Sequence, residues 1–365
     1  MRNMLSRLAQ ELEPYVPGEQ PVDKVYVKLN TNENPYPPSD RVLAAIHGAV
    51  DRLRLYPDPE NTELKEVLAT YWNSRLSYGS PKLETENFFV GNGSDEVLGF
   101  AFPAFFTDRE VAFADITYSF YPVYAKLFHC TYREIPLDED FQIPVEEFVK
   151  LAKEETPPAG ILLANPNAPT GRGLSKEDVE KIIRANEESV VLVDEAYIDF
   201  GGESVVDLVR EYDNLLVVQT LSKSRSLAGL RVGYAVGSET LIDGLNRVKN
   251  SFNSYTVDRL AMAGAVAAIC DESHFQRTRH LIMETRSRVT EKLEEMGFNV
   301  VESEANFIFV THKSHPAKDL FQGLREKGVL VRYFNKPRID NYLRITIGTD
   351  GEMDILLHAL EELLA

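Results

Sequence analysis

Several polar residues stand out because most of them follow a short apolar run that ends abruptly. Lys223 closes Thr220-Leu221-Ser222-Lys223 after the run Leu215–Gln219, and Asp194 opens Asp194-Glu195-Ala196-Tyr197 after Val190–Val193. Asn167 lies in Asn165-Pro166-Asn167-Ala168-Pro169-Thr170-Gly171 after Ile161–Ala164. Gly91-Asn92-Gly93-Ser94-Asp95-Glu96 follows Phe88–Val90, and Arg231 sits in Ala228-Gly229-Leu230-Arg231-Val232-Gly233. A lysine nucleophile, a carboxylate, an arginine and a glycine-flanked helix start are the groups needed to hold a phosphorylated, electron-withdrawing ring and attack its carbonyl.

Pyridoxal 5′-phosphate (PLP) asks for that set. Lys223 is assigned as the Schiff-base lysine that moves a proton at the substrate, and Asp194 as the partner of the pyridine nitrogen. Asn167 and Tyr197 are expected at the ring hydroxyl. Gly93, the amides of Ser94 and Asp95, Ser222 and Arg231 are expected around the phosphate, where a helix N-terminus suits an anion. Tyr118, in Thr117-Tyr118-Ser119-Phe120-Tyr121, is the expected stacking ring. Singly each has an ordinary explanation: a solvated lysine, an acid ending a strand, turn chemistry, a core tyrosine. Their succession at strand ends is what points to one site, because ligands of open α/β sheets sit beyond the C-terminal ends of the strands.

The elements that must position these residues are readable from the pattern. Strands are expected at Phe88–Val90, Val111–Ala114, Tyr132–Ile135, Ile161–Ala164, Val190–Val193, Leu215–Gln219 and Val232–Val236, with helices such as Ser94–Phe106 and Lys176–Glu188 between them. That alternation implies a mostly parallel seven-stranded sheet covered by helices. An amphipathic helix is expected over residues 1–14, then a Pro-rich arm, then a helix from Asp40 to Arg54. A helical region from Glu239 to Gly297, interrupted near Ser251–Thr256, leads into a smaller α+β unit with strands at Phe307–Val310, Val329–Arg332 and Leu343–Ile347. The division is arm 1–30, large domain 31–250 and small domain 251–365.

Bulk properties bound the partners. With 39 Lys and Arg against 57 Asp and Glu, the net charge is −18, which opposes nucleic acid and anionic membranes. Any anionic substrate must therefore meet a local cluster of arginines. The two cysteines, Cys130 and Cys270, and the seven histidines show no metal or redox spacing. Met1 to Glu13 lacks the apolar core of a signal peptide, and the longest uncharged apolar run, Leu260–Cys270, is shorter than the roughly 20 residues of a membrane span. It reads as a buried helix, and the protein as cytoplasmic.

The chain resembles the fold-type I, class I/II aminotransferases, and within them those acting on histidinol phosphate, from Glu13-Pro14-Tyr15 to Arg344-Ile345-Thr346-Ile347-Gly348. Lys28-Leu29-Asn30-Thr31-Asn32-Glu33-Asn34-Pro35, Tyr56-Pro57-Asp58-Pro59 and the motifs around Asn167, Asp194 and Lys223 carry the likeness. Ile116, where a proline often precedes the stacking segment, departs from the pattern.

The resemblance implies a large PLP-binding domain with a smaller α+β partner, and a homodimer in which Tyr56 reaches the neighbouring cofactor phosphate. It also implies a substrate pocket with Tyr15, Asn32, Arg332 and Arg344, the arginines taking the phosphate of L-histidinol phosphate and the carboxylate of glutamate or 2-oxoglutarate in a ping-pong cycle of histidine biosynthesis. An aromatic amino acid aminotransferase or a phosphothreonine-type decarboxylase shares the fold. A nicotinamide dehydrogenase is opposed by Glu96 standing where the dinucleotide fingerprint needs glycine.

Overall fold

A computed structural model describes residues 4–76 and 81–365. Its strands are β1 (Val27–Lys28), β2 (Phe88–Gly91), β3 (Glu110–Ala114), β4 (Thr131–Ile135), β5 (Gly160–Ala164), β6 (Val190–Asp194), β7 (Leu215–Thr220) and β8 (Gly233–Gly237). The later ones are β9 (Phe298–Val301), β10 (Phe307–His312), β11 (Val329–Leu330), β12 (Arg332–Tyr333) and β13 (Leu343–Thr346). Helices α1 (Arg7–Glu11) to α6 precede β5: α2 is Asp40–Ala49, α3 Thr62–Asn73, α4 Ser94–Ala101, α5 Tyr121–Leu127 and α6 Val145–Lys150. Then come α7 (Lys176–Ala185), α8 (Glu239–Phe252), α9 (Arg259–Ile269), α10 (Glu272–Glu295), α11 (Ala317–Glu326) and α12 (Asp350–Leu364).

The seven-stranded sheet has the order β2-β8-β7-β6-β5-β3-β4. Strands β5 and β7 are buried along their whole length and apolar except for Gln219 and Thr220 at the end of β7, as suits strands covered on both faces. Successive side chains feed opposite cores. Ile161, Val191, Val193 and Val217 join one cluster with α3, α7 and α9, while Leu162, Leu192 and Val218 join another with α4 and α8. One strand, β8, runs antiparallel to both its neighbours. Its first residue, Gly233, pairs with the last residues of β2 and β7, Gly91 and Thr220. That reversal brings Arg231 to the edge where the other strands end.

A second, antiparallel sheet, β12-β13-β10-β9, is backed by α10, α11 and α12 around Ile282, Val289, Leu320, Ile345 and Leu356. The arm forms a separate two-stranded parallel sheet with β11 through β1, and Leu29 beside it shares the same apolar cluster.

Several sequence expectations need correction. The helix expected over residues 1–14 is only α1, and residues 1–3 lie outside the described part. It buries no residue, and a helix that packs no face lacks the main source of helical stability in a protein. The Ser94–Phe106 helix widens to π geometry from Phe102 to Phe106, where Pro103 removes a backbone donor. The expected strand Val329–Arg332 divides, β11 turning to the arm and β12 to β13. The Glu239–Gly297 helical stretch breaks at the foreseen place, and again where Asp271 caps α10.

The apolar run at 260–270 is α9, whose Ala261, Gly264, Ala265 and Ala268 are buried. Helix α9 packs on α2 and shares the large sheet's cluster, although it lies beyond residue 250. Among the described residues no helix is long and apolar enough to cross a membrane.

Candidate active site

The strand ends of the large sheet, the arm and the β12–β13 hairpin enclose a cavity of about 660 Å³. Twelve of the residues singled out in the sequence line it: Tyr15, Asn32, Ser94, Asp95, Tyr118, Asp194, Tyr197, Ser222, Lys223, Arg231, Arg332 and Arg344.

Lys223 follows β7 and points its amine into this space, 3.5 Å from the Thr31 carbonyl and 5.8 Å from the centre of the Tyr197 ring. The Asn34 amide holds its backbone carbonyl at 2.9 Å. Burial, and then the positive charge of Arg344, bring the Lys223 ammonium down to about 8, because both disfavour a cation. Asp194 ends β6. Its carboxylate accepts from the Tyr121 hydroxyl at 3.1 Å and the Ala196 amide at 3.2 Å. Burial pushes Asp194 up to about 6 despite those two bonds. Among the described residues it forms no ion pair, so a buried carboxylate faces the cavity without a cation. A protonated ring nitrogen is a fitting partner for it.

A corner built for an anion lies beside these two. Gly93 caps α4 at φ +84°, and a Cβ there would stand 2.6 Å from the Arg231 guanidinium. Gly233 is equally constrained, since a Cβ would meet the Ser94 nitrogen at 2.3 Å. The two glycines let β8 and its preceding arginine close onto the helix start, where unsatisfied N–H groups and the helix dipole favour an anion. Arg231, itself left-handed at φ +53°, donates to Asp95 Oδ2 at 2.9 Å and to Ser222 Oγ at 3.4 Å. Asp95 Oδ1 accepts from the Tyr118 hydroxyl at 2.7 Å, which fixes that ring on the cavity wall. The guanidinium, the Ser222 hydroxyl and the α4 amides form a donor set that suits a phosphate monoester.

On the opposite wall, Arg332 and Arg344 are direct cross-strand partners in the β12–β13 register. Like charges placed opposite each other destabilise a sheet unless an anion lies between them. Arg344 donates to the Asn30 carbonyl at 3.0 Å, while its Nε is buried with no partner, and it has no ion pair among the described residues. Burial and the nearby Arg332 depress its pKa. Arg332 instead donates to the arm carbonyls of Val16 (3.0 Å) and Pro17 (3.2 Å). Phe334 lies 5.6 Å from both guanidinium carbons. Tyr15 stacks on Phe120 at 4.3 Å at the mouth, and Asn32, left-handed at φ 55°, donates to the Tyr197 hydroxyl at 2.9 Å.

Three expected residues lie apart from the cavity lining. Gly93 acts through backbone shape behind Arg231. Asn167 is fully buried, and its amide donates to the Ile116 carbonyl (2.9 Å) and the Thr170 hydroxyl (3.0 Å) while accepting from Thr117 (2.8 Å). Tyr56 is 77% exposed, stacks on Tyr255 at 4.7 Å and does not line its own cavity.

Sequence reasoning missed Thr31, Phe334 and the ion pair at the mouth between Arg338 and Asp115 (2.8 Å). Asp115 does end a strand, the one signal available, but its partner is 223 residues away.

A family model described as "Aminotransferase class I and II" matches residues 24–360. The chain is 52% identical over 358 residues to a histidinol-phosphate aminotransferase of Clostridium beijerinckii, covering 98% of this chain and 96% of that protein. It is also 52% identical over 367 residues to the histidinol-phosphate aminotransferase of Clostridium acetobutylicum, covering the whole of both. The crystal structure of histidinol-phosphate aminotransferase from Sinorhizobium meliloti in complex with pyridoxal-5′-phosphate superposes with a TM-score of 0.88 at 24% identity, over 100% of this chain and 98% of that one, and so shares the fold. By sequence and by fold, this chain belongs to the class I and II aminotransferases.

Proposed function

We propose that the protein transfers the amino group of L-histidinol phosphate to 2-oxoglutarate, giving imidazole acetol phosphate and L-glutamate, with PLP held at Lys223. The observation that carries this reading is the opposed pair Arg332 and Arg344, in a cavity that also holds a lysine poised near neutral pH and an unpaired buried carboxylate. Two guanidiniums facing one space fit a phosphate dianion, and one of them suffices for the α-carboxylate of glutamate.

When bound, PLP supplies a carbonyl carbon and an electron-withdrawing ring that acidify the substrate Cα–H. The chain's own residues do the rest. Asp194 holds a proton at the ring nitrogen. Arg231, Ser222 and the first amides of α4 would hold the phosphate, Tyr118 would stack on the ring, and the Tyr197 hydroxyl would meet the ring hydroxyl. Asn167 reaches the ring hydroxyl by giving up one of its present hydrogen bonds. Lys223 Nζ would take the Cα proton and return it two bonds away, on the carbon beyond the amino nitrogen, a task suited to an amine whose pKa lies near the working pH. Arg344 anchors the anion of either substrate, so one pocket serves both halves of a ping-pong cycle.

A homodimer belongs to the same reading, supported by Tyr56 being exposed and outside the lining of its own cavity, as a residue serving a neighbouring subunit would be, and so does a cytoplasmic location, which the acidic charge and the biosynthetic role suit. The division into arm, large domain and small domain at 1–30, 31–250 and 251–365 belongs to the same proposal.

Single-turnover absorbance measurements with histidinol phosphate, glutamate and phenylalanine test the substrate. The expected order is histidinol phosphate and glutamate fast, phenylalanine slow. Equal rates for phenylalanine and histidinol phosphate would favour an aromatic amino acid aminotransferase, and release of carbon dioxide a decarboxylase.

A further inference from the structure

Behind the sheet, on the side away from the cavity, lies a chain of buried polar side chains that the proposed chemistry does not use. Glu195, next to Asp194, does not line the cavity and is 2% exposed. It accepts from Gln219 Nε2 at 2.6 Å, Ser204 Oγ at 2.7 Å and the Val205 amide at 2.8 Å. The Gln219 carbonyl oxygen accepts from the Tyr234 hydroxyl, and that hydroxyl accepts from the Trp72 indole N–H at 3.2 Å. Gln219 and Tyr234 are 6% and 3% exposed and are direct partners in the β7–β8 register. All the donors point one way, from Trp72 on α3 toward the Glu195 carboxylate, an alignment in which successive bonds polarise one another.

The positions of the links matter more than their number. Glu195 adjoins Asp194 on β6. Gln219 lies on β7, four residues before Lys223, and Tyr234 on β8, three residues after Arg231. Each link therefore sits on, or one residue beyond, a different one of the three strands that deliver the expected ring-nitrogen, carbonyl and phosphate partners. A carboxylate buried without a cation persists only where donors surround it; here burial pushes Glu195 up to about 7 and its three hydrogen bonds oppose that rise.

We infer that the Glu195–Gln219–Tyr234 chain is a brace that sets the spacing of Asp194, Lys223 and Arg231, so that Glu195 and Tyr234 are positioning residues for the cofactor. This rests on the PLP reading given above. Catalytic sites tolerate errors of well under an ångström in their supporting groups, and a brace across three adjacent strand ends supplies that tolerance from outside the pocket.

The test uses Tyr234→Phe, which keeps the core-filling ring, together with Glu195→Gln, whose amide cannot accept at both ends, and the double variant. Trp72 is the only tryptophan in the chain, so its emission reports directly whether the chain is broken. Three quantities are measured: the melting temperature without cofactor, the PLP dissociation constant by equilibrium dialysis, and the midpoint of the pH titration of the bound cofactor's visible band.

A shifted Trp72 emission, about tenfold weaker PLP binding and a displaced titration midpoint are expected in both single variants. The double variant should be no worse than the more severe single, as for residues acting as one unit. If the melting temperature falls while the PLP dissociation constant and the titration midpoint stay at wild-type values, the chain is plain core architecture and the inference fails. A wild-type protein that takes up no PLP overturns the functional reading and this inference together, and that is measured before any variant is made.

Discussion

The two walls of the cavity handle positive charge in opposite ways. At the phosphate corner the charge is already answered: Arg231 is paired with Asp95, Asp95 is held by Tyr118, and Gly93 and Gly233 let the backbone close around them. At the hairpin wall it is not. Arg332 and Arg344 face each other, and among the described residues the acceptors they meet are carbonyls of the arm and of Asn30. A corner that closes on its own groups suits a resident group bound once and kept. A wall left electrostatically incomplete suits ligands that come and go, since each arriving anion relieves a repulsion that returns when it leaves. Damage to the first wall should therefore appear as loss of cofactor, and damage to the second as loss of substrate discrimination.

The largest effect belongs to the residue between the walls. Lys223→Ala removes the only amine expected to react and to move the proton, and turnover should fall by about 10⁴-fold or more. Borohydride should no longer fix PLP to the protein, while the cofactor can still enter the intact corner. Retained borohydride trapping in this variant would place the reactive lysine elsewhere.

Arg344→Ala comes next. It leaves Arg332 alone against a dianion in a partly desolvated pocket, with an expected loss of about 2–5 kcal/mol in kcat/KM. Both half-reactions should suffer, because glutamate shares the anchor, whereas PLP affinity should stay near wild type. Joint loss of cofactor would contradict the independence of the two walls.

Asp194→Asn sharpens the comparison through pH. The Asp194 carboxyl rises from 3.8 to about 6 on folding without cofactor. Its stabilising contribution is therefore fully present below about pH 4 and is lost as pH rises through about 6. The cofactor-free Asn variant should lack that fall and at pH 8 exceed wild type by ~2–3 kcal/mol. Glu195, raised to about 7, imposes the same sign of pH dependence on both proteins. With PLP the order should reverse, because the amide cannot hold a proton at the ring nitrogen. Melting curves from pH 4 to 8, with and without PLP, decide it; parallel curves would mean that Asp194 is not the buried acid facing the ring.

Tyr56→Phe should weaken PLP retention by about 1.5–3 kcal/mol if its hydroxyl reaches a phosphate across the dimer, the range for a hydrogen bond to a charged partner. The effect should vanish on dilution into monomers. An active monomer with unchanged retention would remove Tyr56 from the site.

How much of this was readable beforehand depends on range. Most strands of the large sheet were legible because they are short apolar runs, Asp194 and Lys223 because each stands where such a run stops, and Arg231 because it stands just before one begins. What failed was either too short or too distant. Strands β1 and β11 have two residues each and exist only because they pair across some 300 positions. The facing of Arg332 and Arg344 depends on a hairpin register that no local pattern encodes, and Asp95's service to both Tyr118 and Arg231 joins residues 23 and 136 positions apart. Asn167 was legible as a turn residue with a local bond to Thr170, yet its bonds to Ile116 and Thr117 reach 51 and 50 positions along the chain.

The smallest effect, and the finest probe of the two walls, is expected from Arg332→Ala. Arg332 is only partly buried and is held by two backbone carbonyls of the arm, Val16 and Pro17. Its charge is thus better solvated than that of Arg344, and its removal should cost about 1–2 kcal/mol against a phosphate ester, toward the lower range for charge-assisted bonds. The loss should be selective. Histidinol phosphate carries two negative charges and needs the second arginine, whereas glutamate can be anchored by Arg344, and phenylalanine presents no phosphate at all. Arg344 stays charged without its neighbour, so a monocarboxylate anchored there should lose least. Single-turnover kinetics of the variant with the three amines, at low and at high salt, separate these contributions. A drop confined to histidinol phosphate, steeper at low salt, fits a phosphate contact. An equal drop for all three would mean that Arg332 serves mainly to clasp the arm, and the hairpin wall would then discriminate through Arg344 alone.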